Sequence, residues 1–496
     1  MEKLVKNQIV QLNITDIGIH GEGIGKIAGF PLFVKNALPG DRVKAVVTKV
    51  KASYAYAKMT ELMSPSPDRV AARCPVAEQC GGCQIQSLDY QKQLAFKHDL
   101  VRQRLIRIGG FDPEFVDQIM EPIRGMKEPW RYRNKAQYPV SVNADGKVVA
   151  GFYAGRTHHL IENTDCLLEP EINSRILETV LDYVNQKGIA PYNEEDGTGI
   201  LRHIMIRHGF ATGETLLCLV VRKYKKQVWA GLTDVLQGAG LMEDGIVSVG
   251  FSEQPAKNNV IMGNNFISLY GGPHLTDKIG NVNYIISPQS FYQVNTSQMK
   301  VLYDLVAECA GLTGQETVWD LYCGIGTIGL YLADRAKRII GVEVVPEAVK
   351  NARENARINQ IENAVFYEGT AEKVFEQILD QEKDLICGCS SNQVVIVDPP
   401  RKGCDAALLK TISEFRPERI VYVSCDAATL ARDLKTLCEN DYQIERVVPV
   451  DQFCHSVHVE TVCLLSNRKP DSYVHLNLKM EDYYRIKDAQ KEQGKK

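Results

Sequence analysis

From residue 315 onward, short apolar stretches alternate with helix-length amphipathic stretches, and this alternation constrains the fold more than any other feature. Residues 317–322, 338–344, 364–368, 394–397 and 419–424 read as strands. Residues 328–335, 346–359, 371–379, 406–415 and 428–439 read as the helices between and after them. A strand followed by a helix, repeated, closes as a parallel, doubly wound α/β sheet. Two final strands, 443–450 and 458–465, have only a loop between them and are expected to pair antiparallel, completing a seven-stranded Rossmann-like sheet. Residues 380–393 lack periodicity and read as a surface insertion, with Cys387 and Cys389 incidental to it.

The first turn of this region carries Gly324-Ile325-Gly326-Thr327-Ile328-Gly329, after a strand and before a helix. Glycines there let the backbone turn tightly and approach a ligand, and the helix amino end favours polar or anionic groups. Glu343 ends the next strand, where a carboxylate can accept from ribose hydroxyls. The combination predicts a nucleoside cofactor. A dinucleotide would imply hydride transfer, but the fourth and fifth strands end in Asp398-Pro399-Pro400-Arg401-Lys402-Gly403 and Ser424-Cys425-Asp426, for which a dehydrogenase has no evident use. Cys425 stands between a strand and a helix amino end, a position that lowers a thiol pKa from about 8.5 and favours a nucleophile.

The 496 residues predict several domains. Residues 1–63 read as a small β-barrel, with strands at 8–16, 31–34 and 41–50, glycine-punctuated turns, and nine Lys and Arg against five Asp and Glu. The whole chain has a formal charge of −3, so any nucleic-acid footprint is local. Ser64-Pro65-Ser66-Pro67 reads as a linker. Cys74, Cys80 and Cys83 follow around Gly81-Gly82, and Cys166 could complete a set of four thiolates, suited to an iron–sulfur cluster or to zinc. Their spacing is not that of a radical S-adenosylmethionine enzyme. A helix is expected over 88–108, and residues 120–275 alternate short strands and helices in a central domain. Arg131, Arg133 and Lys135, interleaved with Trp130, Tyr132 and Tyr138, could hold a nucleic-acid strand. The charged start, Met1 to Lys6, and the absence of a long apolar run predict a cytoplasmic protein without a membrane segment.

From 276 to 466 the chain resembles the class I RNA uracil-5 methyltransferases. The resemblance is carried by Ser290-Phe291-Tyr292-Gln293-Val294-Asn295, by Asp320-Leu321-Tyr322-Cys323 running into the Gly motif, and by Asp398-Pro399-Pro400-Arg401. It continues with Ser424-Cys425, Thr429-Leu430-Ala431-Arg432-Asp433 and His458-Val459-Glu460. Upstream, the barrel resembles the family's RNA-binding TRAM domain, an OB-like fold, and the cysteines resemble its iron–sulfur site. The resemblance implies domains at 1–63, 64–275 and 276–466 with a tail at 467–496. It implies that Gln293, Tyr322, Glu343 and Asp398, with Gly324 and Gly326, bind S-adenosylmethionine. Cys425 would be the nucleophile and Glu460 the base. Cys74, Cys80, Cys83 and Cys166 would hold a [4Fe-4S] cluster. It implies a monomer acting on RNA, 23S ribosomal RNA first and the transfer RNA T-loop as the alternative. Two positions depart from the family's pattern: Asp426-Ala427 replaces Asn-Pro, and Cys454 replaces a Pro. Competing readings are an iron–sulfur NAD-linked oxidoreductase, and a non-catalytic RNA-binding paralogue, against which the intact Cys425 and Glu460 argue.

Overall fold

The computed structural model describes residues 4–155, 157–381 and 392–467; the tail and nearly all of the 380–393 insertion, with Cys387 and Cys389, lie outside them. The catalytic region is built on a sheet of seven strands in the order Ala364–Glu368, Arg338–Glu343, Thr317–Leu321, Gln393–Val397, Arg419–Ser424, Glu460–Asn467 and Tyr442–Val450. The first five run parallel. Glu460–Asn467 is antiparallel to both its neighbours, with Ser424 opposite Thr461. Gln393–Val397 is buried along its whole length, as a parallel strand covered on both faces must be. Chain order reverses between Thr317–Leu321 and Gln393–Val397, so the crevice at the carboxyl ends of those strands is where a ligand site belongs.

Residues 9–64 form a closed barrel of five strands, Ile9–Ile17, Gly23–Ile27, Phe30–Lys35, Arg42–Val50 and Ala55–Ser64. A second seven-stranded sheet lies between barrel and catalytic sheet in sequence. Its order is Phe266–Gly271, Ile246–Glu253, Thr215–Val221, Leu201–His208, Lys135–Val142, Val148–Tyr153 and Leu160–Glu162. Helices Glu171–Gln186 and Leu232–Gly238 pack their apolar residues on it. The segment between barrel and central sheet belongs physically to the catalytic layer. Val101 and Leu105 at the end of helix Tyr90–Arg104, with Val116 of helix Pro113–Ile119, bury against Leu434, Val447 and the catalytic strands. Met120 and Arg124 then bridge in parallel to Val447 and Val450, along the edge strand. No helix among the described residues is long and apolar enough to cross a membrane.

Candidate active site

The strand Thr317–Leu321 hands the chain to Tyr322 and Gly324, both at positive φ (71° and 57°), and the N–H groups of Tyr322 and Cys323 donate to the Val342 carbonyl at 3.0 Å. The N–H of Gly324 donates to Oε2 of Glu343 at 3.0 Å and that of Val345 to Oε1 at 2.8 Å. A carboxylate has about four lone-pair sites, so Glu343 is fixed in place with acceptor capacity left over. Gly326 starts helix Thr327–Leu332 at φ 80°, and a Cβ there would stand 3.0 Å from the Phe366 ring. Gly326 does not line the cavity; close packing and backbone handedness explain it without ligand contact. Beneath the loop, fully buried Asp320 accepts from the N–H of Gly329 at 2.8 Å, and burial pushes its carboxyl up to about 7.

One cavity of about 700 Å³ gathers Gln293, Tyr322, Gly324, Glu343, Asp398, Cys425 and Glu460. In sequence these residues stand on separate stretches; the carboxyl ends of the parallel strands and the start of the antiparallel one bring them together. Gln293 arrives from the loop before helix Thr296–Ala310, held by its carbonyl, which accepts from Nδ2 of Asn134 at 2.9 Å. The hydroxyl of Tyr322 donates to Glu372 at 3.1 Å. Asp320, Glu372, Thr327, Arg401 and Phe453 also line the cavity. Asp320 opens the Gly-loop motif and Glu372 stands in the first turn of a helix, signals that were available but not decisive.

Glu460 is 2 % exposed and its Oε2 has no hydrogen-bond partner. Its carboxyl is held well above the usual range by burial first and the nearby Asp398 second. Asp398 is raised by burial and by Asp320. Glu460 makes no ion pair with Arg401 or Lys402; Arg401 acts only as a partial electrostatic counterweight. The half-buried Cys425 thiol is pushed up to about 12, by burial, then by Glu460 and Asp398. This reverses the expectation of a lowered thiol pKa. The helix N–H groups that would favour a thiolate, those of Ala428 and Thr429, donate instead to the Asp426 carboxylate at 2.9 and 3.1 Å. Asp426 thereby caps helix Ala427–Glu439, which begins on Ala427 where the family's pattern has Pro.

A description of the tRNA (uracil-5-)-methyltransferase family matches residues 210–468, and that of the TRAM domain matches residues 3–60. The chain belongs to the tRNA (uracil-5-)-methyltransferase family. Uncharacterised RNA methyltransferases of Halalkalibacterium halodurans and Bacillus cereus are 44 % and 43 % identical, each alignment covering 93 % of this chain and 97 % of theirs. Among solved structures, Pyrococcus abyssi tRNA (uracil-54, C5)-methyltransferase in complex with S-adenosyl-L-homocysteine is 26 % identical with a TM-score of 0.71. The alignment covers 92 % of this chain and 100 % of that one. The protein is therefore an S-adenosylmethionine-dependent RNA methyltransferase of the uracil-5 family, which leaves no ground for a hydride-transfer reading.

The loop that delivers Glu460 is anchored outside the catalytic sheet. Lys97 of helix Tyr90–Arg104 pairs with Asp451, both side chains fully buried, and its ammonium donates to the Phe453 carbonyl at 2.9 Å. His455, at φ 65°, stacks on Trp130 with centroids 4.0 Å apart, and its carbonyl accepts the N–H groups of Gln84 and Ile85. Val457 packs with Ile17 and Leu38 of the barrel and with Ile85 and Leu88.

Two of the four cysteines reach the back of this loop. Cys83 and Cys166 pack beside Cys454, Tyr132 and Leu168, and Cys80 bridges to Ala154. All four are free thiols, and those of Cys80, Cys83 and Cys166 feel one another or Cys74 electrostatically. That donor set is chemically suited to iron or zinc. Among the described residues, no three His, Cys, Asp or Glu side chains are arranged to hold one metal ion.

The basic and aromatic strip at 130–138 is not a free binding face. Tyr132 is buried and donates to the Cys454 carbonyl, Tyr138 is buried against Glu169, and Arg131 pairs with Asp165 at 2.7 Å. Period-2 spacing on strand Lys135–Val142 and the segment before it places the aromatics inward, where they serve the core.

Proposed function

We propose that the protein methylates carbon 5 of a uridine in RNA, 23S ribosomal RNA, through a covalent adduct between Cys425 and carbon 6. Gln293, Tyr322, Glu343 and Asp398, with the Gly324 turn, bind S-adenosylmethionine, which supplies the methyl group and a sulfonium charge opposing the two carboxylates. The observation that carries the reading is that Cys425 and Glu460 share one cavity with Asp398 and the Gly324 turn. Carbon 5 of uracil is too weak a nucleophile unaided. The Cys425 thiol gives its proton to solvent, its sulfur forms a bond to carbon 6, and the ring's electron pair moves to carbon 5, which bonds to the methyl carbon as the methyl–sulfur bond breaks. Glu460 takes the carbon 5 proton, and the carbon 6–sulfur bond breaks as the ring double bond returns. A buried carboxyl of raised proton affinity is suited to that abstraction. The uridine must leave its stack to enter a cavity of this depth.

The ribosomal assignment is supported by the joint presence of barrel, cysteine lobe and catalytic sheet. Transfer RNA is the second reading, favoured by the Pyrococcus abyssi neighbour, whose name assigns it that substrate. Residues 1–63 would serve as an RNA-binding domain, 64–275 as the lobe carrying a [4Fe-4S] cluster on Cys74, Cys80, Cys83 and Cys166, and 276–466 as the catalytic domain. A four-iron cube takes one thiolate per iron and spreads its ligands more widely than a single ion does. Bound there, it would act as a cross-link behind the Glu460 loop, and no step of methyl transfer passes through it.

The test is adduct trapping. With Glu460→Gln the methyl group transfers but the carbon 5 proton stays, so a methylated protein–RNA adduct that survives denaturing electrophoresis accumulates. Cys425→Ala abolishes adduct and product alike. Turnover of Glu460→Gln near the wild-type rate removes the base assignment, and adduct formation by Cys425→Ala removes the nucleophile. Transcripts of both RNA classes tested side by side decide the substrate; methylation of transfer RNA alone overturns the ribosomal reading.

A further inference from the structure

The barrel keeps an aromatic cluster on its outside. Its interior is filled by Leu12, Ile14, Leu32, Val34, Val43, Ala45, Val47 and their neighbours, and neither Phe33, Tyr54 nor Tyr56 belongs to that core. Alternation along a strand explains the separation: Leu32 and Val34 point inward, so Phe33 between them points out. Phe33 and Tyr56 are register partners on adjacent parallel strands, and Tyr54 stands just before the second of them. The three rings form one half-exposed patch with centroids 5.4, 5.5 and 5.7 Å apart.

Charge surrounds this patch. Lys35 and Lys58 are the next outward pair along the same two strands and are directly opposed, both exposed. Like charges placed opposite each other on a sheet face cost stability, and an anion lying between them offsets that cost. Exposed Lys26 extends the same face on the adjoining strand, opposite Pro31.

The patch also sits at the end of the barrel nearest the catalytic cavity. The Phe33 ring closes over Gly18, where an added Cβ would stand 3.2 Å from it. Gly18 follows Ile17, which packs against Val457, the residue before His458. His458 is part of the cavity wall. A strand leaving the cavity past His458 therefore meets the 18–22 loop and then the aromatic patch.

Building on the RNA reading above, we infer that Phe33, Tyr54 and Tyr56 form a stacking platform for unpaired nucleotides adjacent to the target uridine, with Lys35 and Lys58 engaging their phosphates. Stacking on a ring face tolerates any base, so the platform reads single-strandedness and not sequence. It adds to recognition a preference for a target uridine flanked on one side by unpaired RNA.

The experiment uses the full chain and two synthetic RNAs that share the target loop, one with an unpaired flank and one with the same flank closed into a duplex. Tyr54→Ala and Tyr56→Ala are each expected to weaken binding of the unpaired-flank RNA about tenfold, to leave the duplex-flank RNA within twofold, and to leave S-adenosylmethionine binding unaltered. Lys35→Gln with Lys58→Gln lowers the slope of log affinity against log salt by about one for each phosphate no longer engaged. Equal losses on both RNAs, or none on either, overturn the platform. Tyr54 lies outside the strands and outside the barrel core, so its variant keeps the test valid if substitution of Phe33 or Tyr56 disturbs folding. Failure of wild-type protein to form any Cys425 adduct with either RNA counts against the methylation reading and not against the platform.

Discussion

Lys97→Met removes the cation from the buried pair that tethers the Glu460 loop while keeping most of the volume of the side chain. Asp451 then remains fully buried with one oxygen accepting from the Tyr90 hydroxyl at 2.7 Å and no cation for the other. The Phe453 carbonyl loses one of its donors and keeps the Ser456 hydroxyl at 2.7 Å. Breaking one side of a buried pair costs about 3–5 kcal/mol, a large fraction of the roughly 5–15 kcal/mol that holds a typical protein folded. Lys97→Met with Asp451→Leu removes both charges. Apolar replacement of a whole buried pair is often neutral or better, so the double variant should recover much of the single variant's loss. Incomplete recovery is expected because the Tyr90 hydroxyl, which still accepts from the Met126 N–H, loses the carboxylate it donates to. Urea unfolding of the four proteins in the cycle measures this directly. Methyl transfer should fall with Lys97→Met, since Phe453, His458 and Glu460 reach the cavity from the tethered loop. A loss below about 1 kcal/mol, the value of a solvated surface pair, would refute the reasoning.

Three other outcomes follow from the site's electrostatics and the cysteine lobe. Glu460→Gln removes a carboxylate that, once ionised, raises the Cys425 thiol, so iodoacetamide should alkylate Cys425 faster in the variant at pH 9.5, above the value of about 8 to which Glu460 is raised; an unchanged rate would show that the two groups do not sense each other. The same substitution should stabilise the protein as pH rises. Near pH 4 both folded and unfolded chains hold the Glu460 proton; above the usual carboxylate range the unfolded chain releases it and the folded chain keeps it, so wild type loses stability that the glutamine variant retains. A melting-temperature gap that grows from pH 4 to pH 8 is the expected result, and a constant gap contradicts it. Protein purified without air should carry about four irons per chain, with Cys80→Ala losing solubility before it loses single-turnover methylation; zinc in place of iron overturns the cluster.

The catalytic sheet was legible because its parallel strands are buried on both faces and therefore read as apolar runs. Ala364–Glu368, Arg419–Ser424 and Ala406–Phe415 form at the residues expected, and the other elements differ at their ends by one or two residues for the most part. The barrel was legible only in part. Gly23–Ile27 looks like turn sequence, yet its glycines face inward, where a Cβ at Gly23 would meet the Ala37 carbonyl at 2.6 Å and one at Gly25 the Asn13 carbonyl at 2.5 Å. Ala55–Ser64 lacks alternation because its second half is largely exposed. The central sheet hid itself by burying charge: Arg202 and Arg207 are 6 % and 3 % exposed on strand Leu201–His208, which breaks the apolar pattern a buried strand normally shows. The thiol environment could not be read from neighbours in sequence. The helix after Cys425 is visible there, whereas the carboxylates that dominate it come from residues 398 and 460, on other strands.

Distance in sequence also misplaces the cysteine lobe and the barrel, which look remote from the chemistry and meet at its least regular segment. Residues 451–459 form a loop between two antiparallel strands, and within the catalytic region Gln452 is tied to Asn295, while the loop's other anchors lie elsewhere. Those hold Asp451 from Lys97, His455 from Trp130 and the backbone of Gln84 and Ile85, Cys454 from the packing of Cys83 and Cys166, and Val457 from the barrel. Gln84 and Ile85 immediately follow Cys83, so whatever fixes the cysteine loop also fixes the His455 carbonyl. This geometry has a practical consequence for separating RNA affinity from catalysis. Removing residues 1–63 uncovers Ile85, Leu88 and Val457 together, so a truncation loosens the loop that carries the base at the same time as it removes an RNA contact. Substitutions confined to the outer face of the barrel leave that buried junction in place, and they are the ones that can assign affinity and rate to different parts of the chain.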